Sequence, residues 1–171
     1  PKRLLVPVPV LNTSQNRFDL DAIAQIRRLA PSGTTVTVWG AAADYLASQL
    51  PDHDGLDFVS WADDYQAFLS CFDLLIYPRI IGSGFHGKIS EALATGLPCV
   101  VVDWVAHALT HAGYGGLLTF SGDHDFAKVV GQALAGPAPR PRVPKGDPAR
   151  AMAPLLTAVD QAKRGAAFGP K

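Results

Sequence analysis

At 171 residues the chain is long enough for one hydrophobic core and too short for two ordinary domains. With 48% hydrophobic and 18% charged residues it reads as globular, and 15 basic residues cancel 15 acidic ones, which argues against nucleic acid as a partner. No apolar run approaches the ~20 residues of a membrane-spanning helix and the amino end lacks a signal-peptide core, so a cytoplasmic location without a transmembrane segment is expected.

In chain order, short aliphatic runs alternate with helical patterns, which predicts a Rossmann-like three-layer α/β/α fold around a six-stranded parallel sheet. Strands are expected at Arg3–Val10, Thr34–Trp39, Leu56–Ser60, Leu74–Tyr77, Cys99–Val102 and Leu117–Phe120. Helices are expected at Leu20–Leu29, Asp44–Leu50, Asp64–Phe72, Lys88–Thr95, Val105–Ala112 and Asp125–Leu134. Asp19 or Asp21 can cap the first helix and Asp63 the third, while Gly96 and Pro98 stop the fourth. Cys71 and Cys99 sit in apolar surroundings and are expected as buried thiols.

After this first unit, residues 1–135, the composition changes. "GPAPRPRVPKGDP", residues 136–148, holds five prolines and four charges and reads as an extended connector, with Arg140, Arg142, Lys145 and Arg150 solvated. Residues 149–171 form a last amphipathic stretch and a tail. Met152, Leu155, Leu156 and Val159 share one face there, a surface on which copies of the chain could self-associate. The chain starts with Pro1, which leaves open that it is part of something longer.

Gly82, Gly84 and Gly87 match G-x-G-x-x-G, and Asp103 stands at the distance where a dinucleotide fingerprint wants an acid. Glycines before a helix let a phosphate approach backbone N–H groups at the positive end of the helix dipole. An anion site is therefore expected here. Three features argue against NAD. The motif follows the fourth strand rather than the first, and Pro78, Arg79, Ile80 and Ile81 lengthen the approach. In the helix, Ile89, Ala92, Leu93 and Gly96 form the packing stripe, so Lys88, Glu91 and Thr95 share another, suited to phosphates near the cation and a ribose near the acid.

"DLLIYPRIIGSGFHGKISEALATGLPCVV" resembles the donor-binding segment of GT-B glycosyltransferases of the group 1, or family four, set. The likeness is close from Asp73 to Val101 and extends more loosely over about two-thirds of the chain. It implies one half of a GT-B fold, with the acceptor on a missing amino-terminal domain. It also implies transfer from a UDP- or GDP-sugar with retention and no required metal or other cofactor. By the same resemblance Glu91 accepts the ribose hydroxyls, the Gly84–Phe85–His86–Gly87 backbone holds the diphosphate and Lys88 supplies countercharge. Trp61 borders the base with Val59 and Ser60, and Asn16 or Arg17 reaches the phosphates from the family's first glycine-rich loop. Ser83 stands where the family has the first acid of its E-x7-E pair, and the family's G-R…K phosphate pair is missing, Val8, Pro9 and Val10 occupying that neighbourhood. No catalytic base is assigned.

Two other readings stay open: an NAD-dependent oxidoreductase using Gly82, Gly84, Gly87 and Asp103, and a nucleotide-binding module without catalysis. His107 and His111 at i, i+4 lack the acid of H-E-x-x-H and read as surface histidines. Asp52-His53-Asp54 and Asp123-His124-Asp125 read as a turn and a helix cap, and Trp61 as partly core.

Overall fold

The computed structural model describes residues 2–8, 13–79 and 86–144. Six strands, β1 (Arg3–Pro7), β2 (Thr35–Trp39), β3 (Leu56–Val59), β4 (Leu74–Ile76), β5 (Cys99–Val102) and β6 (Leu117–Phe120), form one sheet in the order β3-β2-β1-β4-β5-β6. Every pairing is parallel, with Leu4 and Leu5 of β1 opposite Leu74 and Leu75 of β4. The central strands carry almost only aliphatic residues because helices cover them on both faces. Six helices alternate with them: α1 (Thr13–Leu29), α2 (Ala43–Gln49), α3 (Tyr65–Leu69), α4 (Gly87–Ala94), α5 (Asp103–His111) and α6 (Asp123–Ala135).

The chain winds from β1 outward to β3, crosses back, and winds from β4 outward to β6 in the opposite sense. Right-handed crossovers therefore set α1 and α2 on one face and α3, α4 and α5 on the other. The last helix, α6, returns to pack against α1. The reversal between β1 and β4 is the topological switch point, where loops at the carboxyl ends part and leave a crevice.

Several local expectations need correction. Helix α1 starts at Thr13 rather than Leu20, so Asp19 and Asp21 lie inside it and cap nothing. The third helix is shorter and is capped by Asp64 rather than Asp63, with Asp64 Oδ1 accepting from Ala67 N at 2.9 Å. Asp123 opens α6, and Asp125 reaches back instead: its carboxylate accepts from Ser121 N at 2.9 Å and Gly122 N at 3.2 Å. Cys99 is buried, and burial pushes its thiol pKa up, but Cys71 is exposed at the end of α3.

Beyond α6 the chain does not simply float. Residues 136–144 run back against the loop before β6, where Gly115 and Arg142 exchange backbone hydrogen bonds of 2.8 and 2.9 Å while the Arg140 and Arg142 side chains stay exposed. Lys2 closes the same corner, its ammonium donating to the carbonyls of Ala133, Leu134 and Gly136 at 2.9–3.3 Å. Val8 follows β1, buried, with its N–H donating to Trp39 O at 2.7 Å, while Pro9 and Val10, the rest of the connector and the amphipathic stretch lie outside the described residues.

Candidate functional site

Helix α4 begins at the carboxyl edge of the sheet, just after the glycine motif. Its buried stripe is Ile89, Ala92 and Leu93. Gly96 does not continue that stripe. It is exposed with φ +87°, and its N–H donates to Leu93 O at 3.1 Å while Leu97 N donates to Ala92 O at 3.0 Å. This two-bond stop, with a left-handed residue only glycine adopts freely, explains why the helix ends there. At the other end the His86 carbonyl accepts from Ile89 N and Ser90 N at 2.9 and 3.2 Å. A Cβ on Gly87 would meet none of the described residues. Packing among them gives no reason for that glycine, whereas an approaching ligand would.

Lys88 and Glu91 lie off the buried Ile89, Ala92 and Leu93 stripe of α4. Lys88 is half-buried, with its ammonium 3.6 Å from the centroid of the Trp39 ring. Burial pulls its pKa below the ordinary lysine value, and nearby Glu91 acts in the opposite direction. Glu91 is exposed, as is Thr95. Burial also raises the pKa of Tyr65, with Glu91 adding to the effect.

A second group of polar side chains gathers under the crevice. Helix α1 turns residues 15, 16, 19, 22, 23 and 26 inward, and this face is apolar at Ala22, Ile23 and Ile26 but polar at Gln15, Asn16 and Asp19. Asp19 is fully buried. Desolvation raises its pKa to about 6, against the pull of a Gln15 hydrogen bond and the Arg79 charge. Arg79 follows β4, and its charge acts on Tyr77 against the burial that raises the Tyr77 pKa. His86 is set edge-on between Tyr77 and Trp104, with centroids 5.3 and 5.1 Å away, and burial lowers its pKa. Asp19 Oδ2, Arg79 Nε and His86 Nε2 are buried without a hydrogen-bond partner among the described residues. Such atoms are rare in folds and mark polar sites.

The expected residues are thus only partly brought together. His86, Gly87, Lys88 and Glu91 share the start of α4, whereas Ser83, Gly84 and Phe85 lie outside the described residues. Asn16 and Arg17 are on the first turns of a helix rather than in a glycine-rich loop, Asn16 buried and Arg17 exposed. Trp61 follows β3 and is 77% exposed, so it is not core. Asp103 opens α5, exposed, and its Oδ1 accepts from Trp104 N at 2.6 Å. His107 and His111 are exposed, and among the described residues no cluster of His, Cys, Asp or Glu could hold a metal. No helix among them is long and apolar enough to cross a membrane. Sequence reasoning missed Asp19, Tyr77 and Trp39. The available signal was the polar continuation of the Ala22–Ile23–Ile26 stripe back to Asp19.

No curated protein matches the sequence. Among solved structures, the chain resembles WaaG, a glycosyltransferase involved in lipopolysaccharide biosynthesis, with a TM-score of 0.56 and 22% identity. It also resembles Anabaena HepE, solved in complex with UDP-glucose, with a TM-score of 0.52 and 17% identity. The matches cover 79% and 77% of this chain but only 38% and 43% of those proteins, so the likeness is to one Rossmann-like domain of a GT-B fold. The description "Glycosyl transferases group 1" matches residues 8–135, which include every described strand after β1 and the start of α4. The chain belongs to the group 1 glycosyltransferase family.

Proposed function

We propose that this chain is the donor-binding part of a glycosyltransferase that takes a sugar from a nucleoside diphosphate. The observation that carries the reading is the placement of Lys88 and Glu91 one turn apart at the start of α4, at the switch point, beside a glycine whose Cβ position meets no described residue. A diphosphate at the amino end of α4 would meet helix N–H groups and the Lys88 ammonium, both suited to the charge that grows on a leaving diphosphate. Glu91, one turn on, would accept two hydrogen bonds from a ribose diol. Glu91 is exposed, and a bound nucleotide would cover it. HepE was solved with UDP-glucose, which favours a UDP-sugar among donors of this chemistry.

Retention of configuration, no required metal and an acceptor domain elsewhere in the full protein belong to the same reading. Free Cys71 and Cys99 thiols fit a reducing, cytoplasmic compartment. Self-association through residues 149–163 is a further expectation, checked by the mass of the chain in solution with and without that segment.

The test is calorimetric binding of UDP, GDP, ADP and NAD to the chain. UDP or GDP binding that Glu91→Ala weakens about tenfold or more supports the reading, as expected for two lost hydrogen bonds to a charged acceptor. NAD binding alone, lost with Asp103→Ala, would contradict it. Nucleotide binding without any turnover by the complete protein would leave a binding module in place of an enzyme.

A further inference from the structure

Strand β2 and helix α3 both reach Lys88, the first at its ammonium and the second at its backbone carbonyl. Trp39, at the end of β2, presents its ring face 3.6 Å away. That ring is only 6% exposed and is backed by α3: Tyr65 stacks on it at 4.8 Å and 19°, and Phe68 leans on it at 5.8 Å. The Tyr65 hydroxyl in turn donates to the Lys88 carbonyl, at a long 3.5 Å. Trp39 lies outside the stretches that carry the family resemblance, whereas Tyr65 and Phe68 fall in its looser part.

We propose that Trp39 is a positioning residue for Lys88: its braced indole holds the ammonium at the amino end of α4, so that an incoming diphosphate meets a cation already in place. The inference rests on the donor-site reading above. Its physical basis is the length of the lysine stem, whose rotamer entropy is lost when the ammonium is fixed. A lysine fixed before binding spares the ligand that cost. An ammonium has three donors, so one side can face the ring while the N–H bonds on the other face the crevice. The ring also attracts the cation where burial alone would favour the neutral amine.

The experiment is a double-mutant cycle in the affinity for UDP and GDP, with uridine and guanosine as controls that lack phosphates. Lys88→Met should weaken diphosphate binding about tenfold, and Trp39→Phe, with its poorer cation face, about threefold. In the Lys88→Met background Trp39→Phe should cost nothing more, and the nucleosides should be indifferent to both. An equal Trp39→Phe cost with and without Lys88, or an equal loss for the nucleosides, would overturn the proposal, because either marks general packing damage. Proton NMR of the unmodified chain gives a reading that survives a variant that fails to fold. The Lys88 side-chain protons near the nitrogen should be shifted upfield by the indole ring current, and ordinary lysine shifts would overturn the arrangement. If the unmodified chain binds none of UDP, GDP or ADP, the donor-site reading fails and this inference goes with it. Diphosphate binding with an additive cycle removes the inference alone.

Discussion

The Gln15 side-chain amide donates to Asp19 Oδ1 at 3.2 Å, one turn away on the inward face of α1, while Asp19 Oδ2 is buried with no partner among the described residues. A carboxyl group so placed is disfavoured in its charged form, and its pKa is raised to about 6 from an ordinary 3.8. The sign follows from proton binding. Between about pH 4 and 6 the folded chain holds the proton more tightly than the unfolded chain, so stability falls as pH rises through that window. Asp19→Asn keeps an acceptor for Gln15 and removes the charge. The variant should unfold at a higher urea concentration than the parent at pH 7.5, by roughly 1–3 kcal/mol, with the gap nearly closed at pH 4. His86, whose pKa is lowered, acts in the opposite direction in both proteins and cancels in the difference. Equal stability at pH 7.5 would show that Asp19 is charged at no cost. An acid that destabilises its own fold is better explained by the crevice above it than by packing.

Two glycines should respond in opposite ways. Gly116 has φ +77°, and a Cβ there would collide with the Arg140 carbonyl and Pro141 Cα. Gly116→Ala should cost roughly 2–4 kcal/mol and loosen residues 136–144, seen as faster hydrogen exchange at Arg142 N. A Cβ on Gly87 meets none of the described residues. Gly87→Ala should leave the melting temperature unchanged or slightly raised, since alanine favours the helix, yet weaken UDP about tenfold by obstructing phosphate approach.

Lys2→Met tests the corner where the amino end of the chain meets α6. Three carbonyls lose a charged donor near a helix carboxyl end, where a cation also offsets the dipole. Thermal unfolding should show a loss of roughly 1–2 kcal/mol, with nucleotide affinity untouched.

The sheet was legible because its strands are runs such as Leu74–Ile76 and Cys99–Val102, buried on both faces and therefore apolar throughout. Helix α4 was legible at both ends, through the glycine before it and the Gly96 stop after it. The start of α1 was not, because its first turns bury Gln15, Asn16 and Asp19, and apolar periodicity is blind to a polar inward face. Trp61 is the converse case: a large aromatic side chain suggests partial burial, yet it is exposed. Lys88 was found through its motif, but its contact with Trp39 joins distant parts of the chain, and neither residue betrays the other locally.

The most direct test of the donor site is a UDP titration of the isotopically labelled chain followed through its amide NMR signals. The account predicts that Gly87, Lys88 and the residues around Glu91 shift first and furthest, and that Glu91→Ala removes those shifts at the same UDP concentration. Shifts confined to another surface, such as the groove between α1 and α6 lined by Phe18, Arg28, Phe120 and Phe126, would contradict it.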